Sequence, residues 1–353
     1  MILISVASVV VVAIAGASVA FVLTRPASGI PAPEVVETPE AEPTPSAVPT
    51  VEPPAGPPIR FDTTCDAIVP PSLSAAMLGS SATTRSNATV SSLYEAADRQ
   101  AGVLTCQWGD GGWDSPLVRV FLVPEAGEVF ESARGWREGD TPVVDSLGDA
   151  STLTCIPGSE TSECWADIRI GDVWLGVQLR GPAGADELRS RLEGAAALIV
   201  AAVEEVAVAP DSWVPQVSPL TNDYMWNSAA PLVETAFGIP EPHPAGYDEI
   251  GALSWHTWER SGFSMVPFEG STGEYIHITS LPGGAWAAAA IAQRPGVTAV
   301  EIAGADFGSQ SSSDAGNEVC FAARGAAICV LSHAAPADLL AEVATYVALL
   351  PAA

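Results

Sequence analysis

The chain has 353 residues, 48% of them hydrophobic, which is enough for about two folded domains with apolar cores. Its 14 basic residues, all arginine, are outnumbered by 42 acidic residues, so the formal net charge is −28. This balance excludes ordinary nucleic-acid binding, which needs a dense cationic surface, and makes an anionic membrane surface a poor partner for the folded part.

The amino terminus is strongly apolar. Residues 2–24 contain no charged side chain, and a helix of this length reaches roughly 34 Å, enough to cross a bilayer. We therefore expect residues 1–24 to form a transmembrane anchor in contact with membrane lipid. A cleaved signal peptide is the alternative, but its apolar region is usually shorter, and the small residues 18–20 lie inside the run. A lipid anchor is disfavoured because no lipobox cysteine follows the run.

Residues 25–60 have a different composition. Eleven of the 30 prolines lie between Pro26 and Pro58, interspersed with glutamates and threonines. Such a segment cannot bury a core, so we expect a disordered Pro/Glu-rich stalk that holds the following domains away from the bilayer. A proline-motif ligand and an O-glycosylated stalk are the functional alternatives to this spacer.

Six cysteines follow the stalk. A two-residue hairpin turn at 324–325 would make Cys320 and Cys329 direct cross-strand partners. The same reasoning applies to a turn at 159–160 for a second pair, and the third pair follows by elimination. The expected disulfides are Cys65–Cys106, Cys155–Cys164 and Cys320–Cys329.

These cysteines also indicate a compartment. Zinc is the competing interpretation, but it needs CxxC pairs or histidine-containing knuckles, and neither spacing is present. Structural disulfides form in oxidising compartments, so we expect a single-pass protein of the cell membrane with its domains on the extracytoplasmic side. Arg25, directly after the apolar run, favours the opposite orientation, but one arginine carries less weight than six cysteines.

Internal similarity divides the remaining chain in two. Residues 72–79 resemble 231–238, and residues 105–108 resemble 255–258. Three further matches keep the same order along the chain: 123–124 with 281–282, 144–148 with 300–304, and 168–175 with 322–329. We therefore expect two copies of one domain, at 61–209 and 210–353.

The predicted fold class is α+β. Each copy is predicted to contain a helix, two strands, a helix, a short strand with a hairpin, and a long final helix. Apolar residues from Leu188 to Val206 recur every three or four positions, as in a helix that packs on a sheet. The expected architecture is two tandem copies of an antiparallel sheet covered by helices, after the transmembrane helix and the stalk.

The first copy also carries a family resemblance. Cys65, the run Cys106-Gln-Trp108, the run 147–150 and a Gly171-Asp172 hairpin followed by Trp174 form its pattern. This pattern resembles small secreted and lipid-anchored proteins of high-GC actinobacteria, some of which are similar to the Mog1/PsbP-like α+β fold. The resemblance implies this fold and an extracytoplasmic location, and it carries no catalytic residue. It covers residues 61–207 well and the second copy weakly, where His256 takes the place of Cys106.

Only a few side chains are candidates for binding. All four histidines lie in the second copy, and His256 and His277 fall in predicted strands where they could face each other as a metal or acid–base site. Lone strand histidines are, however, usually ordinary surface or core groups. Trp113, flanked by glycines in a loop, is a candidate exposed contact residue. Because no nucleophile elbow or phosphate loop is present, we predict no catalytic residue, cofactor or metal.

These features favour a membrane-anchored extracytoplasmic binding, sensory or accessory protein. If it signals, it requires an envelope or membrane protein as a partner. One alternative is a cell-envelope enzyme of hydrolase type with an unconventional site in the second copy, where the histidines lie. A purely architectural envelope protein is the other.

Overall fold

A computed structural model of the chain describes residues 55–80, 82–109, 115–133, 141–142, 147–211, 213–245 and 252–352. The apolar run expected to be an anchor, most of the expected stalk, and Trp113 lie outside these residues. Among the helices that are described, none is both long and apolar enough to cross a membrane. The described residues all belong to one compact unit.

The first half, up to residue 209, alternates short helices with strands. In its described part the helices are α1 (Cys65–Ile68), α2 (Pro71–Leu78), α3 (Leu93–Gln100), α4 (Gly127–Ala133) and α5 (Ala185–Glu204). The strands are β1 (Thr84–Ser86), β2 (Leu104–Trp108), β3 (Leu117–Val123), β4 (Thr141–Pro142), β5 (Ala150–Ile156), β6 (Ser162–Ile170) and β7 (Val173–Gly181).

The second half, from residue 210, has its elements in the same order. Its described helices are α6 (Asn222–Asn227), α7 (Ala230–Phe237), α8 (Ala252–Ser261), α9 (Ala285–Ile291) and α10 (Pro336–Leu349). Its described strands are β8 (His243–Pro244), β9 (Ser264–Glu269), β10 (Tyr275–Pro282), β11 (Thr298–Ala299), β12 (Phe307–Ser313), β13 (Gly316–Ala323) and β14 (Ala326–Ser332).

Each half forms one antiparallel sheet, which confirms the predicted α+β class. The strand order is β1-β2-β3-β7-β6-β5-β4 in the first sheet and β8-β9-β10-β14-β13-β12-β11 in the second, counted over the described residues. Each half therefore places its third and last strands side by side at the centre. The expected element order was incomplete, because it lacked the helix that precedes the second strand of each sheet (α3 and α8). It also gave one short strand and a hairpin where four strands follow α4 and α9.

The hairpins follow the register expected from the sequence. The turn between β13 and β14 consists of Arg324 and Gly325, which both have positive φ (53° and 74°), as a type I′ turn requires. It places Cys320 opposite Cys329, and the β5–β6 hairpin likewise places Cys155 opposite Cys164. The six cysteines form the pairs Cys65–Cys106, Cys155–Cys164 and Cys320–Cys329.

One face of each sheet packs against its own helices. In the first half, α1, α2 and α5 cover the apolar residues that alternate along the strands, such as Cys106, Val120 and Val177. The buried stripe of α5 begins at Leu188 as expected, but near its end it passes through Val203. In the second half, α7 and α10 belong to the equivalent core. Burial of these stripes is the main apolar contribution to each half.

The other face of each sheet is covered partly by a helix from the opposite half. Leu93 and Ala96 of α3 belong to the apolar cluster of the second sheet. Conversely, Leu253 of α8 joins the cluster on the first sheet, beside Phe121 and Trp174. Since α3 and α8 occupy the same position in their halves, the interface is reciprocal, as in an isologous dimer.

Polar contacts also join the halves. Gln100 of α3 donates to the carbonyl oxygens of Ser261 (2.9 Å) and Pro282 (2.7 Å). The Glu125 carboxylate accepts hydrogen bonds from Arg60 (2.5 Å) and Arg260 (2.7 Å), and these bonds, led by that from Arg60, lower its pKa to about 2. Arg60 is only 4% exposed. The last residues of the expected stalk therefore belong to the folded unit.

Candidate functional site

The two histidines singled out in the sequence lie on different kinds of element. His277 lies in β10, as expected, between Pro267 of β9 and Leu331 of β14. The prediction of a strand around His256 is wrong, because this residue lies in helix α8. Aromatic residues favour strands, and 255–258 contains two tryptophans, but Leu253, Thr257 and Ser261 are buried at helical spacing.

Among the described residues, neither histidine belongs to a group of three or more metal-ligating side chains. Burial lowers the pKa of His277 to about 4, which keeps this imidazole neutral at physiological pH, and burial also lowers the pKa of His256. Within the described residues, the one cluster of three metal-ligating groups is Glu318 with Cys320 and Cys329. Its two sulfur atoms are bonded to each other in a disulfide, which leaves no thiolate to bind a metal.

A polar pocket of about 350 Å³ lies on the first half, where β1, β2 and β3 meet α3 and α8. It therefore combines the edge of the first sheet with a helix from each half. Its charged and aromatic lining residues include Arg85, Tyr94, Glu95, Asp98, Arg119 and Trp258.

Strand alternation places the polar side chains in this pocket. On β2, Cys106 points into the core, so its neighbours Thr105 and Gln107 point to the opposite face. On β3, Val118 and Val120 are core residues, and Arg119 shares the face of Gln107, its direct cross-strand partner. Because the apolar residues of these strands point into the core, the polar residues between them lie together on the opposite face of the sheet.

Helix α3 supplies the opposing charge. Ser92 caps its amino terminus by accepting a hydrogen bond from the Glu95 amide (3.3 Å), and the Glu95 carboxylate accepts from the amide (2.6 Å) and hydroxyl (2.7 Å) of Ser91. The apolar side of α3 faces the second sheet. Asp98, one turn after Tyr94, therefore projects into the pocket on the side of the first sheet.

Hydrogen bonds hold the two central charges in place. The Thr105 hydroxyl donates to Asp98 Oδ2 at 2.6 Å. Arg119 donates from Nε (3.2 Å) and Nη2 (2.8 Å) to Gln107 Oε1. In the described part of the chain, no ion pair joins Asp98 to Arg119, although both line the same pocket.

Burial changes the protonation of Asp98. Removal from water raises its pKa to about 7, while the hydrogen bond from Thr105 and the charge of Arg119 act in the opposite direction. The Glu95 charge adds to the increase. Asp98 is therefore a carboxyl group that can gain or lose a proton near neutral pH when a ligand with a positive charge or a donor approaches.

Among its described residues, the second half has no equivalent polar site. The amide of Val103 donates to the carbonyl oxygen of Asp98 (2.8 Å), and the amide of Phe263 donates in the same way to that of Trp258 (3.0 Å). Trp258 therefore stands where the first half has Asp98. By the same register, Met265 replaces Thr105, Pro267 replaces Gln107, and His277 replaces Arg119. A cavity of about 80 Å³ lies there, with a largely aromatic lining.

Sequence reasoning missed Asp98 and Arg119 and gave neither residue a functional role. One signal was available, since Arg119 is the sole charged residue of β3. Its two cross-strand partners, Gln107 and Gln178, are polar as well, and Gln178 is buried. A row of polar residues across the centre of a sheet indicates a covered polar site.

Comparisons of the chain with protein-family models, with curated proteins and with solved structures give no match. The resemblance of the first half to secreted actinobacterial proteins of Mog1/PsbP-like fold stays a prediction.

Proposed function

We infer that this chain is an extracytoplasmic binding protein, anchored to the cell membrane by its apolar amino terminus, and that the pocket between α3, α8 and the first sheet is its ligand site. One observation carries this inference. Asp98 and Arg119 line the same cavity of about 350 Å³ without forming an ion pair with each other. Opposite charges held apart in a partly buried cavity are costly unless a ligand completes their contacts.

The cysteines support the extracytoplasmic location. All six lie in pairs at disulfide distance, and such a complement is typical of proteins that fold in an oxidising compartment. The apolar residues 2–24 support the membrane anchor through their length and lack of charge.

The two halves, in this proposal, are copies of one ancestral domain. Their identical order of elements and strands in the described residues supports duplication. The repeat matches support it too, apart from that of 105–108 with 255–258, which pairs a strand with a helix. After duplication the second copy lost the polar site, gained Trp258 at the position of Asp98, and kept a supporting role.

An enzyme in the second half has less support. Its motivation was the histidine content of that half, and the expected arrangement of His256 and His277 in two facing strands is not found, because His256 lies in a helix. A purely architectural role does not account for the polar pocket.

A ligand screen tests the binding function. The full chain, purified in detergent with its disulfides intact, is heated with free amino acids, monosaccharides, nucleosides or inorganic phosphate. We expect at least one class to raise the melting temperature, because a ligand that binds only the folded state stabilises it. Arg119→Ala and the nearly isosteric Asp98→Asn should each reduce the increase strongly, because each removes one of the two charged contacts of the ligand.

Two control variants change matched charges elsewhere. Asp186→Asn and Arg189→Ala alter residues of α5, which lies on the opposite face of the first sheet, and should leave the increase intact. A stabilisation that persists in both pocket variants, or the absence of any stabilisation across the four classes, would contradict the proposed site.

A further inference from the structure

The balance of charges in the pocket indicates which ligands it accepts. Among the described residues, two arginines (Arg85 and Arg119) and two acids (Glu95 and Asp98) line it, so the formal charge of this lining is zero when all four are ionised. A ligand with a net positive charge would be repelled by the arginines, and a ligand with a net negative charge would be repelled by the acids. The chain as a whole has a net charge of −28, which further disfavours phosphorylated or polyanionic ligands.

Some of these groups are already engaged. Glu95 accepts two hydrogen bonds from Ser91, so its carboxylate serves the start of α3. Within the described residues, Asp98 accepts a single side-chain hydrogen bond, from Thr105 to Oδ2, which leaves Oδ1 available. Arg119 uses Nε and Nη2 toward Gln107, which leaves Nη1 available. Asp98 Oδ1 and Arg119 Nη1 are thus the atoms of these two charged groups that a ligand can contact.

Aromatic rings form the rest of the wall. Tyr94, Phe121 and Trp258 all line the cavity. The rings of Tyr94 and Trp258 lie 6.0 Å apart, and the Arg119 guanidinium lies 5.8 Å from the Phe121 ring centre. Such rings supply apolar area with little conformational entropy to lose, and they suit an aliphatic or aromatic side chain.

We propose that the pocket binds a small zwitterion, a free α-amino acid or dipeptide with an apolar side chain, whose ammonium group contacts Asp98 and whose carboxylate contacts Arg119. This inference rests on the proposed binding function and specifies its ligand class. The cavity, at about 350 Å³, is within the size range of small-molecule sites. Thr105 and Gln107 already hold the Asp98 and Arg119 side chains in place, so less conformational entropy is lost when a ligand binds.

Charge-deleted analogues give a direct test. L-phenylalanine, L-leucine and the dipeptide leucyl-phenylalanine are titrated calorimetrically into the full chain. The analogues are phenylalaninamide, which lacks the carboxylate, and N-acetylphenylalanine, which lacks the ammonium. We expect each analogue to bind at least about tenfold more weakly than phenylalanine, because one buried charge then has no partner.

Two variants assign each end of the ligand. Arg119→Gln should remove the preference for phenylalanine over its amide and keep the preference over the N-acetyl analogue. Asp98→Asn should do the reverse. Asp186→Asn should retain both preferences. A site that merely needs these residues for folding would lose both preferences in both variants, so this crossed pattern separates ligand contact from a structural role.

The outcomes distinguish this proposal from the one on which it rests. If monosaccharides or nucleosides bind in an Arg119-dependent way and the zwitterions do not, the binding function stands and the zwitterion class is overturned. If the analogues bind as tightly as phenylalanine, the charge assignment is overturned. If no tested compound binds, both proposals fail.

Discussion

Asp98 illustrates how one side chain can link stability to binding. Burial raises its pKa to about 7, so the empty folded protein holds a proton that the unfolded chain releases near pH 4. The sign follows from proton binding. Asp98 stabilises the folded state at acidic pH, and this contribution is lost as the pH rises through about 7. A ligand ammonium would offset the cost of the charged form.

Asp98→Asn should therefore remove a pH dependence. We expect the free energy of unfolding of the unliganded protein, relative to the variant, to fall by on the order of 1–2 kcal/mol between about pH 5 and about pH 8. The estimate allows for partial exposure of the carboxylate. Urea titrations of both proteins under non-reducing conditions measure this difference. A constant difference for Asp98→Asn would contradict the raised pKa.

At the scale of single elements, the packing of α8 on the first sheet depends on a glycine. A Cβ atom at Gly176 of β7 would lie 2.6 Å from Leu253 Cδ1 and 3.5 Å from Phe121 Cδ2. Because Gly176 has no side chain, Leu253 can pack directly against the backbone of β7. Gly181, in the same strand, is less constrained, because a Cβ there would lie 3.7 Å from its nearest neighbour, Leu188.

We expect Gly176→Val to lower the free energy of unfolding by roughly 1–3 kcal/mol through overpacking against Leu253. The cost should be smaller in a Leu253→Ala background, where the space is empty, so the pair should show a favourable coupling in a double-mutant cycle. Gly181→Val is the matched control and should cost less. Equal costs of Gly176→Val in both backgrounds would show that α8 does not pack here.

The elements differ in how far the sequence predicts them. Hairpin register was predictable, because side chains alternate with period two and the turn at Arg324 and Gly325 fixes which residues face each other. Helix α8 was not predictable, because its tryptophans are residues that favour strands and because the surface that buries it belongs to the opposite half. The pocket could not be predicted either, because Asp98 and Arg119 come to line one cavity only after α3 has packed between the two sheets.

On the scale of the whole molecule, the reciprocal helices make the two halves interdependent. Without the second half, the apolar residues of α3 would be exposed, and the cluster that contains Phe121 and Trp174 of the first sheet would lose Leu253. Without the first, the second sheet would lose Leu93 and Ala96. The pocket proposed as the ligand site also needs both halves, because Trp258 and Ser254 of α8 form part of its wall. Under this proposal, ligand binding and the association of the halves are coupled.

This interdependence predicts a single unfolding transition for the described unit. Leu93→Ala removes a buried α3 side chain that packs on the second sheet, and we expect it to cost about 2–4 kcal/mol. Hydrogen exchange followed by mass spectrometry should show β6 and β7 losing protection together with β13 and β14, because the first half cannot stay folded alone. Leu198→Ala changes a residue of α5 that is 60% exposed, and it should leave the free energy of unfolding and the exchange protection unchanged. Loss of protection confined to the second sheet would mean that the halves are independent domains, with a pocket that forms only on docking.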